Sequence, residues 1–103
     1  SNNTAVGYQA SYSSSTATGN ACFGYQAGYS MTTGNTYNTF VGFQAGYSTT
    51  GTFNTFVGVN AGTSISSGNK NTILGSYSGY TAGGLDIRTS SNNIVLSDGD
   101  GIP

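Results

Sequence analysis

Histidine, glutamate and tryptophan are absent from this sequence, and charge of either sign is scarce. The acidic residues are Asp86, Asp98 and Asp100, the basic ones Lys70 and Arg88, and the only thiol is that of Cys22. General acid–base catalysis draws on histidine or paired carboxylates, and a nucleophilic triad needs a base beside its nucleophile. Upstream of Lys70 neither can be assembled, so the chain reads as a non-enzyme with no catalytic residue and no cofactor. A formal net charge of −1 leaves no basic face for nucleic acid. No apolar run approaches the roughly 20 residues of a membrane-spanning helix, which argues against membrane insertion. A lone cysteine excludes an internal disulfide framework and leaves the redox compartment open. No signal segment opens the chain, and an excised or processed fragment is the expectation.

Large aliphatic side chains are also few. Hydrophobic residues make up 35% of the 103 and charged ones 5%, where ordinary domains run near half and about a quarter. A single compact core is hard to build from such material. The chain nevertheless does not read as disordered, because it holds eight tyrosines, five phenylalanines and one proline. Its 17 glycines, with abundant Ser, Thr and Asn, suit a repetitive β-fold held by backbone ladders and stacked side chains.

Self-similarity runs through the whole sequence. From Asn3 it reads NTAVGYQASYS, from Asn20 NACFGYQAGYS, from Asn38 NTFVGFQAGYS, from Asn54 NTFVGVNAGTS and from Asn71 NTILGSYSGYT, with a degenerate NIVLSDGDGI from Asn93. Successive starts are 17, 18, 16, 17 and 22 residues apart, so the last step carries an insertion, placed at 82–91. Each unit has a short β-prone segment, then glycine (Gly7, Gly24, Gly42, Gly58, Gly75). An aromatic block follows, with a second glycine at Gly28, Gly46, Gly62 and Gly79 and Ser11 in the first copy. Pairs at Thr18-Gly19, Thr33-Gly34, Thr50-Gly51 and Ser67-Gly68 suggest a third corner. Glycine at fixed offsets is what tight corners with positive φ demand, and the period leaves no room for a helix. The expected fold is all-β: one domain over residues 1–103, a repetitive β-solenoid or β-roll of six coils of about 17 residues.

Parallel coils sit about 4.8 Å apart, so equivalent residues form columns. One column holds Val6, Phe23, Val41, Val57, Leu74 and Leu96; its neighbour holds Ala5, Cys22, Phe40, Phe56, Ile73 and Val95. Adjacent strand residues point to opposite faces, so the strand is apolar on both, and one face must be covered from outside. The simplest cover is the same stripe on another copy. A homo-oligomer is therefore expected, three-fold about the fibre axis, with Ala5, Cys22, Phe40, Phe56, Ile73 and Val95 assigned to the interface.

The motif N-T-[FIA]-[VL]-G-[YF]-Q-A-G-Y-S with an S/T-T-G linker resembles the repeats of bacteriophage tail fibres and related bacterial fibre proteins, many of which end in a self-cleaving intramolecular chaperone. The closing segment Ser90–Gly101 resembles the stretch that ends the repeats ahead of that chaperone. In grammar the repeat is also similar to the head repeats of trimeric autotransporter adhesins, trimers of left-handed β-rolls, though the unit here is longer. The resemblance covers essentially all 103 residues. It implies a homotrimeric fibre module, a shaft or receptor-binding segment located in a virion tail or at a cell surface, with a glycan or protein receptor as partner. A bacterial surface adhesin or extracellular filament subunit is the alternative.

Individual columns carry further expectations. The recurring asparagines read as a ladder whose amides satisfy corner backbone. Tyr8, Tyr25 and Phe43 form one aromatic row. Tyr12, Tyr29, Tyr47 and, after Thr63, Tyr80 form another, structural by default but also the candidate glycan-contacting strip. Thr4, Thr39, Thr55 and Thr72 make a regular threonine row, the feature that raises ice binding as a third reading, weakened by Ala21 and Ile94. Asp98 and Asp100 are weak metal candidates, since hard cations favour carboxylate oxygen, but a polar cap on the last coil suits them better. Cys22 fits a small buried hydrophobe. The insertion at 82–91, carrying Asp86 and Arg88, reads as a loop leaving the coil, either a subunit-locking clasp or a recognition tip.

Overall fold

The computed structural model describes residues 2–32, 34 and 36–103. Six strands of three residues each stack in sequence order into one parallel sheet: β1 (Thr4–Val6), β2 (Ala21–Phe23), β3 (Thr39–Val41), β4 (Thr55–Val57), β5 (Thr72–Leu74) and β6 (Ile94–Leu96). No helix occurs among the described residues. The register follows the asparagine spacing, with Thr4 beside Ala21, Thr39, Thr55, Thr72 and Ile94 in turn. The all-β solenoid expected from the repeat is therefore the fold observed.

Each strand is short because both ends are fixed. At the start stands the ladder asparagine, at the end the first-slot glycine. The N–H of Asn38 donates to Oδ1 of Asn20 at 2.9 Å, that of Asn54 to Asn38 at 2.8 Å, and that of Asn71 to Asn54 at 3.0 Å. The Nδ2 groups of Asn38, Asn54 and Asn71 donate across to the carbonyls of Gly51, Gly68 and Ser90. One side chain thus pins two points of the next coil, and these asparagines are buried with their polar atoms paired. At the other end, Gly42 has φ of 135°, and a Cβ there would lie 2.3 Å from the Gly58 carbonyl oxygen. Successive coils meet backbone to backbone at this column, so only glycine fits it.

The third corner is not one corner. Gly51 stacks on Gly68, where a Cβ would fall 2.0 Å from the Gly68 oxygen, three residues before the ladder asparagine. Gly19 instead directly precedes Asn20, in the left-handed slot shared by Tyr37, Phe53, Lys70 and Asn92. These S/T-G pairs therefore occupy two different positions in the coil, one and three residues before the ladder asparagine. Thr33 lies outside the described residues.

The core is a narrow column between the sheet and the second-slot corner. Cys22, Phe40, Phe56, Ile73 and Val95 line one side, Ala27, Ala45 and Ala61 the other, with Met31, Ile65 and Ile87 filling the remainder. Phe40 and Phe56 stack at 5.2 Å between ring centroids. Their rings are accommodated by Gly46 and Gly62, where a Cβ would meet the Phe40 ring at 2.7 Å and the Phe56 ring at 2.3 Å. At coil five the pattern changes. Gly62 donates to the Tyr77 carbonyl where Gly28 and Gly46 donate to Ala45 and Ala61, so Tyr77 takes the alanine level and its ring closes the core. The whole body measures 38 × 23 × 16 Å.

Candidate functional site

The strands read exposed–buried–exposed, or nearly so, from β2 onward, and this reverses the expected interface. Cys22, Phe40, Phe56 and Ile73 are fully buried in their own chain, and Val95 nearly so. A column filled from inside cannot meet another copy. Ala5 is exposed, while Cys22, its partner in the same column, is fully buried. The second-slot glycines agree with this: a Cβ on Gly46 or Gly62 would strike the Phe40 or Phe56 ring from inside the coil.

What faces outward is the flanking pair of columns. Thr4, Ala21, Thr39, Thr55, Thr72 and Ile94 form one, and Val6, Phe23, Val41, Val57, Leu74 and Leu96 the other. Val6 is 57% exposed, Leu74 52% and Leu96 72%. Neither column contains a charge or a proline. Beyond the glycine corner the apolar surface continues through Tyr8, Tyr25, Phe43 and Val59, all exposed. The stripe predicted from a strand apolar on both faces exists, on the columns opposite to those assigned.

The tyrosine rows are real but offer a sugar less than their sequence suggests. Tyr12, Tyr29 and Tyr47 stack face to face at 5.0 and 4.9 Å, with rings inclined by 5° and 9°. Tyr8, Tyr25 and Phe43 do the same at 5.5 and 5.1 Å. A saccharide packs on a ring face, and here each inner face is already taken by the next ring. Edges and hydroxyls remain. Burial, then neighbouring Tyr47, Tyr12 and Tyr8, push the Tyr29 phenol up. Tyr80 does not belong to the Tyr12 row. Thr63 interrupts the stack, and the Arg88 guanidinium lies over the Tyr80 ring at 4.1 Å.

That contact belongs to the insertion. Residues 80–86 form a small antiparallel hairpin, with Tyr80 bridged to Asp86 and the Thr81 N–H donating to the Leu85 carbonyl at 2.9 Å. The chain then returns, burying Ile87. Arg88 holds Asp86 bidentately, Nε to Oδ1 at 2.9 Å and Nη2 to Oδ2 at 2.8 Å. The hydrogen bond from Arg88 keeps the Asp86 carboxyl below its ordinary range. Beneath the hairpin the Tyr77 hydroxyl donates to the Leu85 carbonyl at 2.7 Å. The hairpin thus fastens onto the chain's own fifth coil, a contact within one chain and not one between subunits.

Asp98 is a turn cap. Its Oδ1 accepts from the N–H of Asp100 at 2.9 Å and of Ile102 at 3.0 Å. Among the described residues no three potential metal ligands come together. Cys22 is buried, with burial pushing its thiol up and a Ser11 hydroxyl partly offsetting that.

Two features escaped the sequence reading. Tyr37 and Phe53 stack at 5.1 Å on the surface; each stands just before a ladder asparagine, and that shared offset was the available signal. Gln9, Gln26 and Gln44 form a second amide ladder, Nε2 to Oε1 at 2.8 Å each step, readable from the repeated Q-A once stacking is assumed. No protein-family model, curated protein or solved structure matches the chain.

Proposed function

We propose that this chain is a structural and adhesive fibre module, a shaft or receptor-binding segment of a phage-type tail fibre, which assembles with copies of itself through the outward columns of its sheet. The carrying observation is the uncharged stripe from Val6 to Leu96, continued across the glycine corner by Tyr8, Tyr25 and Phe43. Water-exposed apolar surface of this extent is avoided in soluble monomers. A second copy is its natural cover, because the coil spacing of about 4.8 Å places equal residues at equal heights on every copy. Three copies about an axis parallel to the solenoid close this contact without leaving an unpaired stripe. Stiffness follows from the amide ladders and the glycine stack, and the tyrosine edges and the hairpin supply chemistry for a glycan or protein receptor. The same geometry serves a bacterial surface adhesin or an extracellular filament subunit.

The test is a pair of substitutions. Val41→Asp with Leu74→Asp places two carboxylates on the stripe without touching the core. The expected result in sedimentation is a folded monomer in place of the wild-type oligomer. If the variant and wild type sediment alike, the stripe is not the interface. The outward threonine row favours one other reading, ice binding, and thermal hysteresis in wild-type solutions decides it; a null result removes that reading.

A further inference from the structure

The slot directly before each ladder asparagine lies in the left-handed region, with φ of 71° at Gly19, 58° at Tyr37, 60° at Phe53, 58° at Lys70 and 65° at Asn92. The coil register imposes this conformation. The N–H groups of Tyr37, Phe53, Lys70 and Asn92 each donate back one coil, to the carbonyls of Thr18, Thr36, Thr52 and Asn69 at 2.9 to 3.1 Å. Glycine and asparagine take such a φ at little cost, whereas bulky side chains are strained in it. Gly19 and Asn92 are the tolerant residues. The three coils between them carry tyrosine, phenylalanine and lysine instead.

Packing does not ask for that choice. Tyr37 is 57% and Phe53 53% exposed, and neither ring belongs to the core. The two rings rest on each other at 5.1 Å, and a Cβ on Gly19 would lie 2.8 Å from the Tyr37 ring. Their stack returns part of the strain. Lys70 has no such return: it is exposed, lies over no ring and pairs with no carboxylate among the described residues. Strain kept at an exposed position points to a role outside the fold.

The polar groups beside the rings are donors. Asn69 Oδ1 accepts from the Thr52 N–H at 2.7 Å and from Thr52 Oγ1 at 3.3 Å, which leaves Asn69 Nδ2 with no acceptor among the described residues. Lys70 Nζ follows it in the chain, equally without one. The other cation, Arg88, is already held by Asp86.

We propose that Tyr37, Phe53, Asn69 and Lys70 form a binding site for an acidic saccharide built of hexuronic acid, an inference that rests on the reading of the chain as an adhesive module. The C–H face of the pyranose lies against the exposed side of the Tyr37–Phe53 ladder. Its carboxylate accepts from Lys70 Nζ and Asn69 Nδ2. Two donors, one of them charged, select a ligand that brings anionic acceptors. The paired rings select one whose rigid body has an apolar face. An acidic peptide supplies the first and not the second.

The probes are oligogalacturonate and a neutral galactose oligomer of equal length, titrated into the wild-type assembly at low salt with NMR shifts as the readout. Oligogalacturonate should move the signals of the Phe53 ring, Asn69 Nδ2 and Lys70, and added salt should weaken it. The neutral oligomer should bind about tenfold more weakly or worse. Phe53→Asn and Lys70→Asn install the residue that the same slot holds at Asn92. Each should lower the affinity for oligogalacturonate by about tenfold or more. Lys70→Asn should at the same time melt no lower than wild type, a split that a merely structural lysine does not give. No binding of oligogalacturonate, equal binding of the neutral oligomer or of an oligoglutamate peptide, or unchanged affinity in either variant overturns the proposal. Shifts gathered on Tyr12, Tyr29 and Tyr47 instead overturn this site and leave the adhesive reading standing. That reading has its own test at Val41 and Leu74, read by sedimentation without any sugar.

Discussion

At the scale of single residues, the backbone contacts at the glycine column set the tolerance of the fold. In Gly42→Ala the new methyl meets the Gly58 carbonyl at 2.3 Å from a residue whose φ is 135°, and neither backbone can yield without separating two coils. Thermal unfolding should show a loss of about 3 kcal/mol or more. Gly99, with nothing near its missing Cβ, provides the contrast: Gly99→Ala should stay within about 0.5 kcal/mol of wild type. Cys22 makes a chemical prediction at the same scale. Its thiol is buried and held protonated by that burial, so a thiol reagent should label it only as fast as the chain opens. Labelling of the folded chain at the rate of a free thiol would place Cys22 outside the core.

Among the elements, the asparagine ladder and the hairpin clasp respond to different conditions. Asn54→Ala removes the acceptor of the Asn71 N–H and the donor to the Gly68 carbonyl, leaving two buried backbone groups unpaired. Denaturant melts should record a loss of about 2–4 kcal/mol. The clasp answers to pH. Folded Asp86 titrates below the ordinary carboxylate, so its contribution is complete above the unfolded value of about 3.9 and is lost as pH falls through the lower folded value. NMR shifts of the Tyr80 ring should therefore change as the pH falls into that acid range, and Asp86→Asn should abolish this acid-range change. Much of this was legible in the sequence. The asparagine offsets gave the strand register and the ladder. Inside and outside were not legible, because Phe40 and Val41 are both apolar and a three-residue strand has no pattern to orient it. The second-slot glycines hold that information, but only once Gly46 is known to face the Phe40 ring. Tyr80 was misplaced for a related reason. Coil five loses the left-handed glutamine position, Tyr77 drops into the alanine level, and equal numbering no longer means equal height.

Over the whole molecule, two apolar surfaces compete for one role, and the structure separates them. Phe40→Ala empties the interior and should cost about 3–5 kcal/mol of folding stability. Substitutions at Val41 or Leu74 should leave the melting of the isolated chain nearly unchanged and act on assembly alone. The most direct measurement of the central claim is the mass of the native particle by light scattering across a dilution series. Assembly through the outward columns predicts three times the chain's 10.4 kDa, held until dilution dissociates it. A particle that stays at 10.4 kDa at every concentration, folded and soluble with its stripe uncovered, would contradict it.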